Sequence, residues 1–168
     1  MPQIELAKLK ALMFDFDGVL TDNKVYVSED GKEMVRCNRG DGLAFDAFRL
    51  LGLPVFIVSR EANAVVGARA SKLRTPLLQA VSNKLEAVIA LAKKEGFSLP
   101  EILFVGNDLN DFDVMTASGM SACPSDSHPR IREIATYILE SKGGEGAARE
   151  VAERLLGIDI AEVLRSRG

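Results

Sequence analysis

The chain has 168 residues, 27% of them charged and 47% hydrophobic, with a formal net charge of −3. That length lets a single domain bury a core without metal or disulfide staples, and that balance argues against a disordered or nucleic-acid-binding protein. No apolar run reaches the roughly 18 residues of a membrane span, and the opening MPQIELAKLK lacks the apolar stretch of a signal peptide. A cytoplasmic protein with neither membrane nor nucleic acid as partner is expected.

In chain order, three apolar runs each end in a polar cluster and lead into a helical pattern. They are LKALMF before Asp15, LPVFIV before Ser59 and EILFV before Gly106. This repetition predicts a parallel sheet with helices on both faces, a Rossmann-like α/β domain in three layers. Helices are expected at about 41–51, 62–73, 83–95, 110–118, 127–135 and 146–156. The third is opened by the capping pattern Asn83-x-x-Glu86 and closed near Gly96.

One stretch breaks the pattern. KVYVSEDGKEMVRC, residues 24–37, places two β-prone runs around Asp30-Gly31, which predicts a hairpin with a two-residue turn. No linker, low-complexity tract or repeat divides the chain, so residues 1–168 read as one domain. The tail from Gly157 to Gly168 reads as a short helix or a mobile arm.

Several chemistries are excluded. Cys37 and Cys123 form no C-x-x-C and read as reduced structural residues; the position six after each holds Leu43 or Pro129, not the arginine of a cysteine phosphatase loop. His128 is the only imidazole and lies in SDSHPR, which looks like a helix start, so it reads as a surface or capping residue. A serine triad or a zinc centre lacks its residues. Carboxylates remain.

The tripeptide Asp-Phe-Asp occurs at Asp15–Asp17 and again at Asp111–Asp113. The first stands at the end of a strand, where positions i and i+2 project to one side, so Asp15 and Asp17 can share a ligand, with Gly18 letting the backbone come close. The second falls at a helix start, where positions two apart lie about 200° apart around the axis, so Asp111 and Asp113 cannot both serve one site. Asp113 is expected to be a solvated helix residue. Ser59, Lys84 and the oxygen-rich GNDLND, residues 106–111, belong at the same sheet edge as Asp15. A carboxylate nucleophile, a second carboxylate at +2, a hydroxyl, an ammonium and hard oxygens suit phosphoryl transfer through a bound magnesium ion.

These four segments, in this order, resemble the motifs of the haloacid dehalogenase superfamily: Asp15 and Asp17 the D-x-D-G-[VT]-[LVI]-T motif, Ser59 the second, Lys84 the third and Gly106–Asp111 the acidic fourth. Between Asp17 and Ser59 lie only residues 18–58, and between Lys84 and Gly106 only residues 85–105, which leaves room for the hairpin and no cap domain. DGVLTDN, RGDGLAF and SKGGEGAAREVAERLLGIDI resemble the capless branch that dephosphorylates 2-keto-3-deoxy sugar-acid phosphates. The resemblance implies that Asp15 is the nucleophile and Asp17 the proton donor, that Ser59 and Lys84 hold the phosphoryl group, and that Mg²⁺ sits on Asp15, the Asp17 carbonyl and the fourth motif.

Where many relatives have Gly-Asp-Asp this chain has Gly106-Asn107-Asp108, so Asn107 or Asp108 is the expected metal ligand. Glu61 stands where the eight-carbon octulosonate phosphatases carry arginine, and an acid there resembles the nine-carbon branch. Lys72 or Arg149 would then take the substrate's carboxylate. The GGEG loop at 143–146 could line the phosphate edge or start a helix. The branch implies a homotetramer built by the hairpins, with neighbours closing the site. A second class stays open: a non-catalytic oligomerisation module like the domain fused to some acylneuraminate cytidylyltransferases.

Overall fold

A computed structural model describes residues 4–167. The central sheet has six strands: β1 (Ala11–Phe14), β4 (Val55–Val58), β5 (Leu77–Leu78), β6 (Ile102–Val105), β7 (Met120–Cys123) and β8 (Tyr137–Ile138). Their order is β5-β4-β1-β6-β7-β8 and every pairing is parallel. The three apolar runs of the sequence form β4, β1 and β6, the middle of the sheet. β5, β7 and β8 were not among them. Two are only two residues long, and β7 reads MSAC, too polar to stand out as an apolar run.

Strand alternation divides the core into two layers. Leu12 and Phe14 of β1 face one layer, filled by α1 (Arg39–Leu50), α2 (Ala64–Leu73), α6 (Ala147–Glu150) with its π-type continuation to Leu155, and α7 (Ile160–Arg167). Ala11 and Met13 face the other, filled by α3 (Lys84–Glu95), α4 (Phe112–Ala117) and α5 (Pro129–Ile134). The three layers expected from the sequence are thus present. Every predicted helix forms, with ends shifted by a few residues.

Local signals explain several ends. The Asn83 side chain accepts from the Glu86 N–H at 3.2 Å, and Gly96 closes α3 in the left-handed region at φ +80°. His128 caps α5, its Nδ1 accepting from the Arg130 N–H at 3.2 Å, with Pro129 as first helical residue. The tail, through residue 167, is a helix seated on the core, with Ile158 and Ile160 buried. Residue 168 lies outside the described residues. Among the described residues no helix is long and apolar enough to cross a membrane.

The hairpin is a separate two-stranded sheet, β2 (Thr21–Val27) and β3 (Glu33–Cys37). Its turn corrects the two-residue expectation: Ser28–Lys32 connect the strands, with the Gly31 N–H donating to the Ser28 carbonyl at 2.9 Å and the Ser28 N–H to the Lys32 carbonyl at 3.0 Å. Ser28 Oγ also donates to the Lys32 carbonyl, which favours the wider loop, and Gly31 takes the left-handed position such a loop needs. Val25, Tyr26, Val27 and Met34 are all more than half exposed.

Candidate active site

The C-terminal ends of β1, β4 and β6 meet at one edge of the sheet, the edge at which open α/β sheets bind ligands. Asp15 follows β1; its N–H donates to the Val105 carbonyl at 2.8 Å and its carboxylate accepts from the Phe16 N–H at 2.7 Å. The chain then winds through a π-type turn, Phe16–Leu20, in which Asp17 is extended and Gly18 is left-handed at φ +80°. A Cβ at Gly18 would stand 1.9 Å from the Asn107 side chain. Glycine suits this position on both counts, since any other residue would be strained at this φ and would displace the Asn107 amide.

Lys84 opens α3 and is 2% exposed, its Nζ lying 2.7 Å from Asp15 and 2.6 Å from Asp111. Asp111, fully buried, also accepts from the Asn107 N–H at 2.9 Å and the Asp108 N–H at 3.3 Å. Gly106 makes this fold-back possible, since a Cβ there would stand 2.6 Å from the Asp111 side chain. Ser59 is buried at the end of β4, its N–H donating to the Leu78 carbonyl at 2.8 Å and its Oγ accepting from the Glu61 N–H at 3.1 Å.

Charge follows from this packing. Burial alone would lower the Lys84 ammonium, but Asp15 and Asp111 outweigh it and hold it above its usual range. Burial, then Asp111, push the Asp15 carboxyl up, and Lys84 pulls it down. These directions oppose one another, because a proton on Asp15 would remove one of the carboxylates that keep Lys84 charged. The charged lysine is what the geometry supports, with a carboxylate oxygen of each aspartate within 2.7 Å of Nζ. Asp17 is raised to about 6, by burial first and then by Glu61, with Lys84 opposing and Glu33 adding.

Asp17, Glu61 and Glu33 line one cleft of about 260 Å³ together with Asn23, Val25 and Asn63. A larger cleft of about 650 Å³ lies around Pro54–Phe56 and Arg74–Leu78, at the opposite ends of β4 and β5, away from this carboxylate and lysine cluster.

A cation fits the oxygens beside Asp15. With the Asn107 amide oxygen facing inward, it stands 3.2 Å from Asp15 Oδ2 and 2.8 Å from the Asp17 carbonyl, three oxygens with no proton between them. Such an arrangement is favourable around a small hard cation, whose octahedral oxygens lie about 3.0 Å apart for bond lengths near 2.1 Å. With the amide reversed, its N–H groups donate to the same two oxygens. The set is lightly charged, and among the described residues no three His, Cys, Asp or Glu side chains cluster as a metal site.

The structure thus brings Asp15, Asp17, Ser59, Lys84, Asn107 and Glu61 to one edge. Asp108 sits beside them but caps the following turn, its carboxylate accepting from the Leu109 N–H at 2.7 Å. Lys72 lies in a different groove, between α1 and α2, with Arg39, Arg69 and Arg74. Arg149 is exposed, ion-paired to Glu153 at 3.1 Å, and lines a cleft with Asn38 and Gly146. Sequence reasoning missed Asp111 as the second partner of Lys84. The signal was there in Gly106, which is where a folded-back carboxylate needs room. The GGEG loop starts a helix, with Gly146 as the N-cap of α6, and packs on the turn after Asp17, the Gly144 N–H donating to the Val19 carbonyl at 3.0 Å.

Comparison with known proteins adds to this geometry. Residues 65–151 match the family model of haloacid dehalogenase-like hydrolases. The chain is 34% identical over 149 residues to a 3-deoxy-D-manno-octulosonate 8-phosphate phosphatase from Escherichia coli strain K12, covering 88% of this chain and 79% of that protein. A solved structure described as a HAD family hydrolase from Streptomyces avermitilis superposes with a TM-score of 0.90 at 36% identity, covering 94% of this chain and 91% of the other. A 3-deoxy-D-manno-octulosonate 8-phosphate phosphatase from Moraxella catarrhalis, solved with magnesium, phosphate and the sugar acid, superposes with a TM-score of 0.88 at 28% identity, covering 95% and 92%.

Proposed function

The chain belongs to the haloacid dehalogenase-like hydrolase family, and from that membership we propose that it is a magnesium-dependent phosphatase of a 2-keto-3-deoxy sugar-acid phosphate. The observation that carries the reading is the Asp15–Lys84 pair at 2.7 Å, with Asp17 and the inward oxygens of Asn107 and the Asp17 carbonyl beside it. A scaffold has no physical need for such a buried charge cluster. That weighs against the non-catalytic module.

In this reading an Asp15 carboxylate oxygen attacks phosphorus, and the bond from phosphorus to the sugar oxygen breaks. Asp17 gives its proton to the departing alkoxide; a carboxyl raised to about 6 is poised to do so and to recover the proton afterwards. The Asp17 carboxylate then takes a proton from water, whose oxygen attacks the aspartyl-phosphate, releasing phosphate and restoring Asp15. Lys84 neutralises the nucleophile and a phosphoryl oxygen, and Ser59 donates to another. Asp15, the Asp17 carbonyl and Asn107 would hold Mg²⁺, which supplies charge neutralisation between nucleophile and phosphate.

We take the substrate to be the nine-carbon acid 9-phosphate, because Glu61 shares the cleft with Asp17 and a carboxylate there accepts sugar hydroxyls while repelling a substrate carboxylate. The eight-carbon 8-phosphate is the second reading, favoured by the named activity of the relatives at 34% identity. Lys72, in its separate groove, fits the acid end only if a second copy presents it, as a hairpin-built homotetramer would. The exposed Val25, Tyr26, Val27 and Met34 support that assembly. The test compares kcat/KM for the two phosphates, with and without Mg²⁺, in wild type and Glu61→Arg. A preference for the shorter sugar, or one untouched by the substitution, removes Glu61 as the reader; an active monomer removes the shared site.

A further inference from the structure

We infer that Arg36, on the hairpin, is a positioning residue that clamps the Gly143–Gly144 loop onto the turn presenting Asp17, so that the hairpin helps to fix the acid–base carboxylate. The inference deepens the phosphatase reading and rests on it.

The loop and the turn are in backbone contact. A Cβ at Gly143 would stand 2.2 Å from the Gly18 carbonyl oxygen, and one at Gly144 would stand 2.6 Å from the Asp22 nitrogen. The Gly144 N–H donates to the Val19 carbonyl at 3.0 Å, and the Gly143 N–H to Asp126 at 2.9 Å. The turn is otherwise braced from within, by the Gly18 N–H donating to Thr21 Oγ1 at 3.1 Å. Residues 18–22 therefore hold their path partly because two glycines lean on them.

Arg36 ties this loop to the hairpin. Its Nε donates to Asp22 at 3.1 Å and its Nη2 donates to Glu145, the residue after Gly144. One guanidinium fork thus joins β3, the start of β2 and the loop, which an ammonium, lacking that planar fork, cannot reproduce. Arg36 and Glu145 are about half exposed, so the pairs add little to global stability. Their effect is geometric. Release of Glu145 leaves the loop free to lift from Val19, and the turn that carries Asp17 loses its outer support.

The test reads hydrogen exchange at the Gly144 amide and turnover of the eight- and nine-carbon sugar-acid phosphates with Mg²⁺. Arg36→Ala is expected to speed Gly144 exchange about tenfold and to lower kcat about tenfold with KM within about twofold, at unchanged melting temperature. Arg36→Lys should rescue only in part. The double exchange Arg36→Glu with Glu145→Arg should restore both readouts, because a guanidinium at 145 would face the carboxylates at 22 and 36. Unchanged Gly144 exchange in Arg36→Ala overturns the clamp, and faster exchange with unchanged kcat overturns the positioning role, as does a double exchange that restores neither. A wild type inactive on both sugars refutes the phosphatase reading instead, while the exchange result still decides the clamp.

Discussion

Asp111 holds Lys84 at 2.6 Å as the second carboxylate on that ammonium, beside the nucleophile Asp15 at 2.7 Å, with Asp111 fully buried and Lys84 nearly so. The aspartate also satisfies two backbone N–H groups, so it fixes both the lysine and the loop that carries Asn107. Asp113, two residues on, is exposed on α4. The two members of the second Asp-Phe-Asp therefore differ completely in consequence.

Asp111→Ala should destabilise the protein by about 3 kcal/mol or more, because it leaves one buried and one half-buried N–H group unpaired and a buried ammonium with one partner. It should also lower turnover through the displaced Lys84. Asp113→Ala should change stability by less than about 0.5 kcal/mol. Urea titration of both variants checks this, and equal losses would refute the assignment.

Asp15→Asn and Asp17→Asn should each remove turnover while circular dichroism stays native. The pH profile separates their roles. If Asp17 is the acid, kcat/KM falls as pH rises through its raised value of about 6. Burial is the first cause of that value and Glu61 the second, so Glu61→Gln should move the limb to lower pH. A limb that stays in place assigns the proton to another group.

Much of this site was legible because strand-end placement follows from periodicity: Asp15, Ser59 and Asn107 each follow an apolar run, and those runs became adjacent strands. Lys84 was legible only as a helix-opening lysine. Its pairing with Asp111 depends on a fold-back that no spacing rule encodes. Lys72 and Arg149 failed to join the cleft for a related reason: the sequence marks them as basic, but which groove a helix face meets is fixed by packing. The edge strands β5 and β8 are two residues each, too short for any alternation to register.

Asn107→Asp should tighten Mg²⁺ binding, since it replaces an amide oxygen by an anionic one, 3.2 Å from Asp15 and 2.8 Å from the Asp17 carbonyl. The apo protein should in turn be less stable, because two carboxylates would then face one another without a cation. Calorimetric titration with Mg²⁺ and apo melting curves test both halves. Unchanged affinity would exclude Asn107 from the coordination shell and favour Asp108.

Asp41, in the first turn of α1, provides a pH test away from the catalytic pair. Its side chain is 1% exposed; one oxygen accepts from the Arg149 N–H at 3.1 Å, and Oδ2 has no partner among the described residues. Burial raises its carboxyl from 3.8 to about 6, against the pull of the Arg149 and Ala148 N–H groups and the nearby Arg69. A raised value means that the folded state binds this proton more tightly than the unfolded one. The contribution to stability is therefore fully present below pH 4, is lost as pH rises from about 4 to about 6, and is flat above. The span is on the order of 3 kcal/mol at most. Asp41→Asn keeps the acceptor for Arg149 and puts an amide where Oδ2 stood, so its stability should lack this fall and should exceed that of wild type above pH 6. Asp15 and Asp17 titrate in both proteins, which makes the difference between the two stability curves the quantity to read. A difference that stays constant from pH 4 to 7 would mean that Asp41 is charged in the fold throughout.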